Sequence, residues 1–252
     1  FNAGVKTYKL TEDNAFEPDP DEIRKQITKK TRVILINSPA NPTGSVISKR
    51  ILEEIADIAV EHNLSIFSDE AYEKIVYDNA KHISIGSLNG MSDRVFTFQS
   101  FSKTYAMCGF RLGYVVCPEE AAEAIKKTHI YTSICAPTLS QKLGIKALSL
   151  PNKHTQAMVK EYDRRRKVIV KRLNEMGLPT PNPKGAFYTF SNIKHINKNS
   201  WKFAFDLLKK QKVSVVPGSD FGTEGEGYIR CSFATKLPII EKALDRIEKF
   251  IG

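Results

Sequence analysis

The sequence predicts an α/β fold, with a mostly parallel sheet within residues 1–150 and a smaller α+β unit over 151–252. Three observations carry this expectation. Short β-branched runs alternate with amphipathic helical stretches through the first half. After Pro118 the strand signals stop, and helical periodicity runs on to Gly177. Past Pro179, Pro181 and Pro183, strand-like runs return between two more helices. No internal repeat interrupts this order.

The elements follow in turn. Asp19-Pro20-Asp21-Glu22 reads as a helix start, with Asp19 as N-cap, Pro20 at the first helical position and Glu22 closing a capping box. Ile23 and Ile27 share one face of that helix. Val33-Ile34-Leu35-Ile36 is a continuous apolar run that suits a strand buried on both faces. Ser48 caps a second helix, with Ile51, Leu52, Ile55, Ile58 and Ala59 at helical spacing. Strands follow at 64–67, 95–98 and 112–117. Helices are expected over 119–131, 137–149 and 153–176, the last ending with Gly177 at C′. Its stripe of Met158, Tyr162, Ile169 and Leu173 faces inward. Strands at 186–190, 213–216 and 228–233 then alternate with helices at 199–211 and 236–251.

Composition narrows the class. The 252 residues are 41% hydrophobic and 26% charged, a globular balance. No apolar run reaches the roughly 20 residues of a membrane span, so no membrane partner is expected. Lys and Arg exceed Asp and Glu, 38 against 28, giving a net charge of +10. The basic residues spread over helical faces; the densest run, Arg164 to Lys167, reads as a solvated face, and no nucleic-acid partner is expected. Cys108, Cys117, Cys135 and Cys231 lack metal or redox spacing and read as free core thiols of a cytoplasmic protein. The five histidines are isolated, so no metal site is expected. Asn41-Pro42-Thr43 fails as a glycosylation acceptor because Pro stands in the middle.

In open parallel sheets ligands sit beyond the carboxyl ends of the strands. The first strand is followed by Asn37-Ser38-Pro39-Ala40-Asn41-Pro42-Thr43-Gly44, and the second by Ser68-Asp69-Glu70-Ala71-Tyr72. The third is followed by Ser100-Phe101-Ser102-Lys103, with Arg111 eight residues beyond the lysine. An amine nucleophile, a carboxylate, a phenol and an anion-binding arginine thus converge on one edge. Pyridoxal phosphate asks for that combination: a lysine for a Schiff base, an acid to keep its ring nitrogen protonated, and donors for its phosphate. Each residue alone has a plainer reading, Asp69 as an N-cap, Lys103 as a surface lysine and Arg111 as an ion-pair partner. Their placement at three successive strand ends argues for the joint one.

These motifs resemble the signature of the class I/II pyridoxal-phosphate-dependent aminotransferases of fold type I, of the aspartate aminotransferase kind. Tyr228-Ile229-Arg230-Cys231-Ser232-Phe233 is similar to that family's substrate-carboxylate motif, and Gly185-Ala186-Phe187-Tyr188 and Pro217-Gly218-Ser219-Asp220-Phe221-Gly222 also match family segments. The resemblance implies that Lys103 bonds the cofactor and shuttles a proton. Asp69 pairs with the ring nitrogen, Tyr72 and Asn41 with the ring oxygen, and Ala71 packs on one ring face. Ser100 and Arg111 hold the phosphate, with Ser102 as a helper, and Arg230 grips the substrate carboxylate. Residues 1–150 would belong to the large cofactor-binding domain and 151–252 to the small one.

The resemblance further implies a homodimer that moves an amino group between an L-amino acid, aspartate first, and a 2-oxo acid. Family members carry a long segment ahead of the point where this chain begins, so the chain by itself is expected to be inactive or poor. Residues 5–10 look like a family strand. Two other readings stay open: a lyase or synthase using the same cofactor, and a non-catalytic binding module. Tyr131, Phe187 and Tyr188 are candidates to line a pocket, with core packing the better reading of Phe187. Gly222, Gly225 and Gly227 read as a turn rather than a phosphate cradle.

Overall fold

The computed structural model describes residues 3–252. Helix α1 (Pro20–Gln26) starts where Asp19 accepts the Asp21 N–H at 2.9 Å. The expected capping box does not form, because the Glu22 carboxylate pairs with Lys25 at 2.6 Å instead. Strands β1 (Val33–Asn37), β2 (Ser65–Asp69) and β3 (Val95–Ser100) run parallel, and β4 (Gly113–Val116) joins β3 antiparallel. Between β1 and β2, helix α2 (Lys49–Glu61) lays Ile51, Leu52, Ile55 and Ile58 over Ile34, Ile36, Ile66 and Val95. Ser48 stands at its N-cap, but its hydroxyl accepts no bond from the helix; its N–H donates to Glu17 instead.

Two strand expectations need correction here. The run 33–36 is buried on one face only: Ile34 and Ile36 are enclosed, while Val33 and Leu35 are 38% and 61% exposed. The pleat alternates side chains, and α2 covers a single side. Residues 5–10 form no strand. That run reaches the free edge of β1 only through the Tyr8 hydroxyl, which donates to the Leu35 carbonyl at 2.9 Å. A strand exists by backbone pairing, and here the contact is a side chain's.

After β3 come the short helix α3 (Phe101–Thr104) and then α4 (Glu119–Ser133), α5 (Thr138–Leu148) and α6 (Lys153–Glu175). Helix α6 ends in the expected glycine cap: Gly177 has φ +77°, Leu178 N–H donates to Leu173 O, and Gly177 N–H to Asn174 O. The stripe on α6 holds, with Ile169 and Leu173 buried and Met158 and Tyr162 packed beside them. Arg166 overturns the solvated reading of 164–167. Helical periodicity puts it on the Ile169 face, where it is 1% exposed. Its guanidinium bonds Asp78 twice at 2.7 Å, along with Asp163, Asn182 and the Pro183 carbonyl.

The second sheet is antiparallel, in the order β5 (Tyr188–Asn192), β7 (Tyr228–Ser232), β6 (Val216–Pro217). The run 213–216 pairs only at its end, so β6 is shorter than expected. Helices α6, α7 (Ser200–Gln211) and α8 (Leu237–Ile251) cover the sheet, and its core also takes in Tyr72, Ile75 and Tyr77 from the first half. Gly222, Gly225 and Gly227 lie in the turn before β7. Gly218 and Gly225 cross so closely that a Cβ on Gly218 would stand 1.9 Å from the Gly225 carbonyl. The thiols are not all in the core: Cys231 is buried, Cys117 intermediate, and Cys108 and Cys135 exposed on turns. Tyr131 stands 92% exposed on α4. Among the described residues, no helix is long and apolar enough to cross a membrane.

Candidate active site

The register of the first sheet sets the site. Asn37, Asp69 and Phe98 are side by side at the carboxyl ends of β1, β2 and β3, and Ser100 lies two residues beyond Phe98 on the same face. Asn37 ties this edge together: its Nδ2 donates to the Asp69 carbonyl at 3.0 Å, and its Oδ1 accepts the Asn41 N–H at 2.8 Å. The loop that presents Asn41 is anchored at Gly44, whose carbonyl accepts the N–H groups of Lys184 and Gly185 at 2.8 Å. Only glycine fits there, at φ +71°, since a Cβ would lie 2.5 Å from Pro183 Cβ. Asn41 Oδ1 in turn accepts from Arg230 Nη1 at 2.7 Å, which leaves the amide's Nδ2 free to donate inward.

Asp69 is exposed, with Oδ1 accepting the Ala71 N–H at 3.1 Å. Ala71 is half-buried against the second core. Tyr72 is buried and shares a 2.9 Å hydrogen bond with the phenol of Tyr188. Burial pushes the Tyr72 phenol well above its usual value and keeps it protonated.

Lys103 comes from α3, which Ser100 caps by accepting the Ser102 N–H at 3.2 Å. Its Nζ stands 5.8 Å from the Tyr72 ring centre and 5.5 Å from that of Phe187. Among the described residues no carboxylate pairs with it. Arg111 follows the turn that leads to β4, whose Gly113 pairs with Ser100. It is exposed and left-handed at φ +52°, with Nη1 donating to the Cys108 carbonyl at 2.8 Å. A non-glycine residue there costs about 1 kcal/mol.

Arg230 reaches the site from β7. Its guanidinium stands 4.4 Å from the Tyr188 ring centre and 5.1 Å from that of Phe221, and its Nε is buried without a partner. Measured contacts therefore join Lys103 to Tyr72, Tyr72 to Tyr188, Tyr188 to Arg230, Arg230 to Asn41, and Asn41 through Asn37 to Asp69. Ser100 and Arg111 sit beside this ring on the β3–β4 side. Sequence reasoning passed over Asn37, whose signal is an amide at the last strand position after four apolar residues. It also passed over Phe187 as a neighbour of Lys103.

The family profile described as aminotransferase class I and II matches residues 2–247. The chain belongs to the class I and II aminotransferases. It is 51% identical to an aspartate aminotransferase of Pyrococcus abyssi over 249 residues, 98% of this chain and 63% of that one. It is 49% identical to the aromatic-amino-acid aminotransferase 2 of Thermococcus litoralis, with the same two coverages. The crystal structure of an aromatic aminotransferase from Pyrococcus horikoshii superposes with a TM-score of 0.93 at 49% identity, covering 96% of this chain and 65% of that one. The chain thus spans a little under two thirds of the length of such relatives, and its α/β fold is that of fold type I.

Proposed function

We propose that these residues form the active site of a pyridoxal-phosphate-dependent aminotransferase, which moves an amino group between an L-amino acid and a 2-oxo acid. The observation that carries this reading is the convergence of Lys103, Tyr72 and Arg230 on one aromatic wall of Tyr72, Phe187 and Tyr188. The donor set fits the cofactor: an amine without a carboxylate partner, an exposed carboxylate, and a guanidinium whose Nε is buried and unpartnered.

Pyridoxal phosphate, when bound, supplies an electron sink for charge developed at the substrate's α-carbon. Lys103 would hold its aldehyde carbon, Asp69 its ring nitrogen, and Tyr72 and Asn41 its ring oxygen, with Ala71 against one face. Ser100 and Arg111 would hold the phosphate. Arg230 binds the substrate carboxylate as a fork and orients the α-carbon bonds. Lys103 Nζ would take the α-proton and deliver it to the cofactor's former aldehyde carbon, the 1,3 transfer that moving an amino group requires. A protonated Tyr72 acts here as donor, the role its burial favours.

Aspartate is the first substrate to test, with an aromatic amino acid beside it, since relatives named for each are about equally similar. A homodimer in the cytoplasm completes the proposal. Borohydride reduction with pyridoxal phosphate present should label Lys103, read by peptide mass spectrometry; a label fixed on another lysine refutes the assignment. Incubation with L-aspartate alone should yield pyridoxamine phosphate and a 2-oxo acid, whereas a lyase would release a cleaved or eliminated product. Arg230→Gln should weaken substrate binding by about 3 kcal/mol, because it removes a charge-assisted bidentate pair.

A further inference from the structure

We infer that Tyr188 is a positioning residue, fixing Tyr72 through its phenol and Arg230 through its ring, so that one side chain sets both the cofactor-facing and the carboxylate-facing halves of the site. The inference builds on the function proposed above. Tyr188 opens β5 in the second sheet, while Tyr72 follows β2 in the first, so their 2.9 Å bond crosses between the two units. The rings also meet edge-on, with centres 5.8 Å apart. Tyr188 is 7% exposed, hence held by packing.

The two contacts solve one problem in two ways. Arg230 must be held in place while its donors remain available. A carboxylate partner would occupy those donors, and among the described residues Arg230 has none. The faces of Tyr188 and Phe221 attract the guanidinium without using an N–H. Only Nη1 is spent, on Asn41. Likewise, one phenol pair uses one donor and one acceptor. With Tyr188 donating, the Tyr72 hydrogen is free to point into the site, and the chain of two hydroxyls makes it a stronger donor. The other charged and titratable groups facing the Tyr72 phenol are Arg230, Asp69 and Lys103.

Tyr188→Phe and Tyr188→Leu separate the two contacts. With pyridoxal phosphate bound, Y188F should raise the pH midpoint of the cofactor's absorbance change by about half a unit, since Tyr72 becomes a weaker donor to the ring oxygen. The same variant should leave the affinity for succinate, a carboxylate probe, within about twofold, because the ring stays under Arg230. Y188L should also weaken succinate about tenfold. An unmoved midpoint in Y188F, or wild-type succinate affinity in Y188L, overturns the inference.

A third measurement needs no cofactor. Urea unfolding of Tyr72→Phe, Tyr188→Phe and the double variant should show a coupling of about fivefold in the folding constant; strict additivity refutes the phenol pair. If the wild-type protein binds no pyridoxal phosphate, the proposed function fails. The unfolding cycle and the succinate titration then still decide the role of Tyr188.

Discussion

In the four-stranded sheet, α2 closes one face over Ile34, Ile36 and Ile66, and the opposite face presents Val33, Leu35 and the Phe67–Phe96–Phe98 cluster. The three-stranded sheet instead has its buried residues gathered with α6, α7 and α8 into one core that reaches across to Tyr72, Ile75 and Tyr77. The open face of the first sheet is also the face that ends in Asn37, Asp69 and Ser100. Lys103, Asp69 and Arg111 therefore hang from the less covered unit, whereas Tyr188 and Arg230 come from the better enclosed one. The difference teaches that the Tyr188–Arg230 side of the candidate site is braced by packing. The Asp69–Lys103 side is braced by hydrogen bonds at strand ends, through Asn37, Asn41 and Ser100.

The largest expected effect joins the two units. Arg166→Leu should cost about 3–5 kcal/mol in urea unfolding, because it removes the buried guanidinium's bonds to Asp78, Asp163, Asn182 and the Pro183 carbonyl. It leaves the two carboxylates only the exposed Lys184 and Lys167 as cationic partners. Arg166 holds the Asp78 carboxyl down to about 2 from a usual 3.8. A carboxyl depressed in this way stabilises the fold above its unfolded value and loses that contribution as pH falls through 4 towards 2. The gap between wild type and R166L should therefore narrow over that acid window. A gap that stays constant would show that the ion pair is not what Arg166 contributes.

Next come the two faces of the first sheet. Ile66→Ala, at a fully buried position, should cost about 3 kcal/mol. Leu35→Ala, on the open face, should cost less than about 0.5 kcal/mol. A Leu35→Ala cost approaching that of Ile66→Ala would mean that the face is covered in solution, and the contrast between the sheets would disappear.

The smallest effect touches no stability. Burial pushes the Cys231 thiol up to about 11, so at pH 8 a thiol reagent should label Cys108 and Cys135 and spare Cys231. Peptide mapping reads the outcome, and rapid labelling of Cys231 would show that the second core opens readily.

Local chemistry was legible wherever a few neighbouring residues decide it. Asp19 with Pro20 starts α1, Gly177 ends α6, and the apolar period of α2 predicts its buried face. The motif residues at the strand ends were also legible, since a parallel sheet brings successive carboxyl ends to one edge. Burial was not. Val33 and Leu35 read like Ile34 and Ile36, and only the number of layers over the sheet tells them apart. Arg166 read like its charged neighbours until α6 was set against Asp78, Asn182 and Pro183.

The sequence by itself determined the α/β order, the helix ends and the residue types gathered at the strand ends, because propensity, capping and periodicity act within a turn or two of the chain. Only the tertiary structure decided which side chains complete the site. The Tyr72–Tyr188 bond joins residues 116 apart and the Arg230–Asn41 bond residues 189 apart. Such contacts depend on how two sheets dock, and docking is set by the sum of many packed side chains rather than by any local signal.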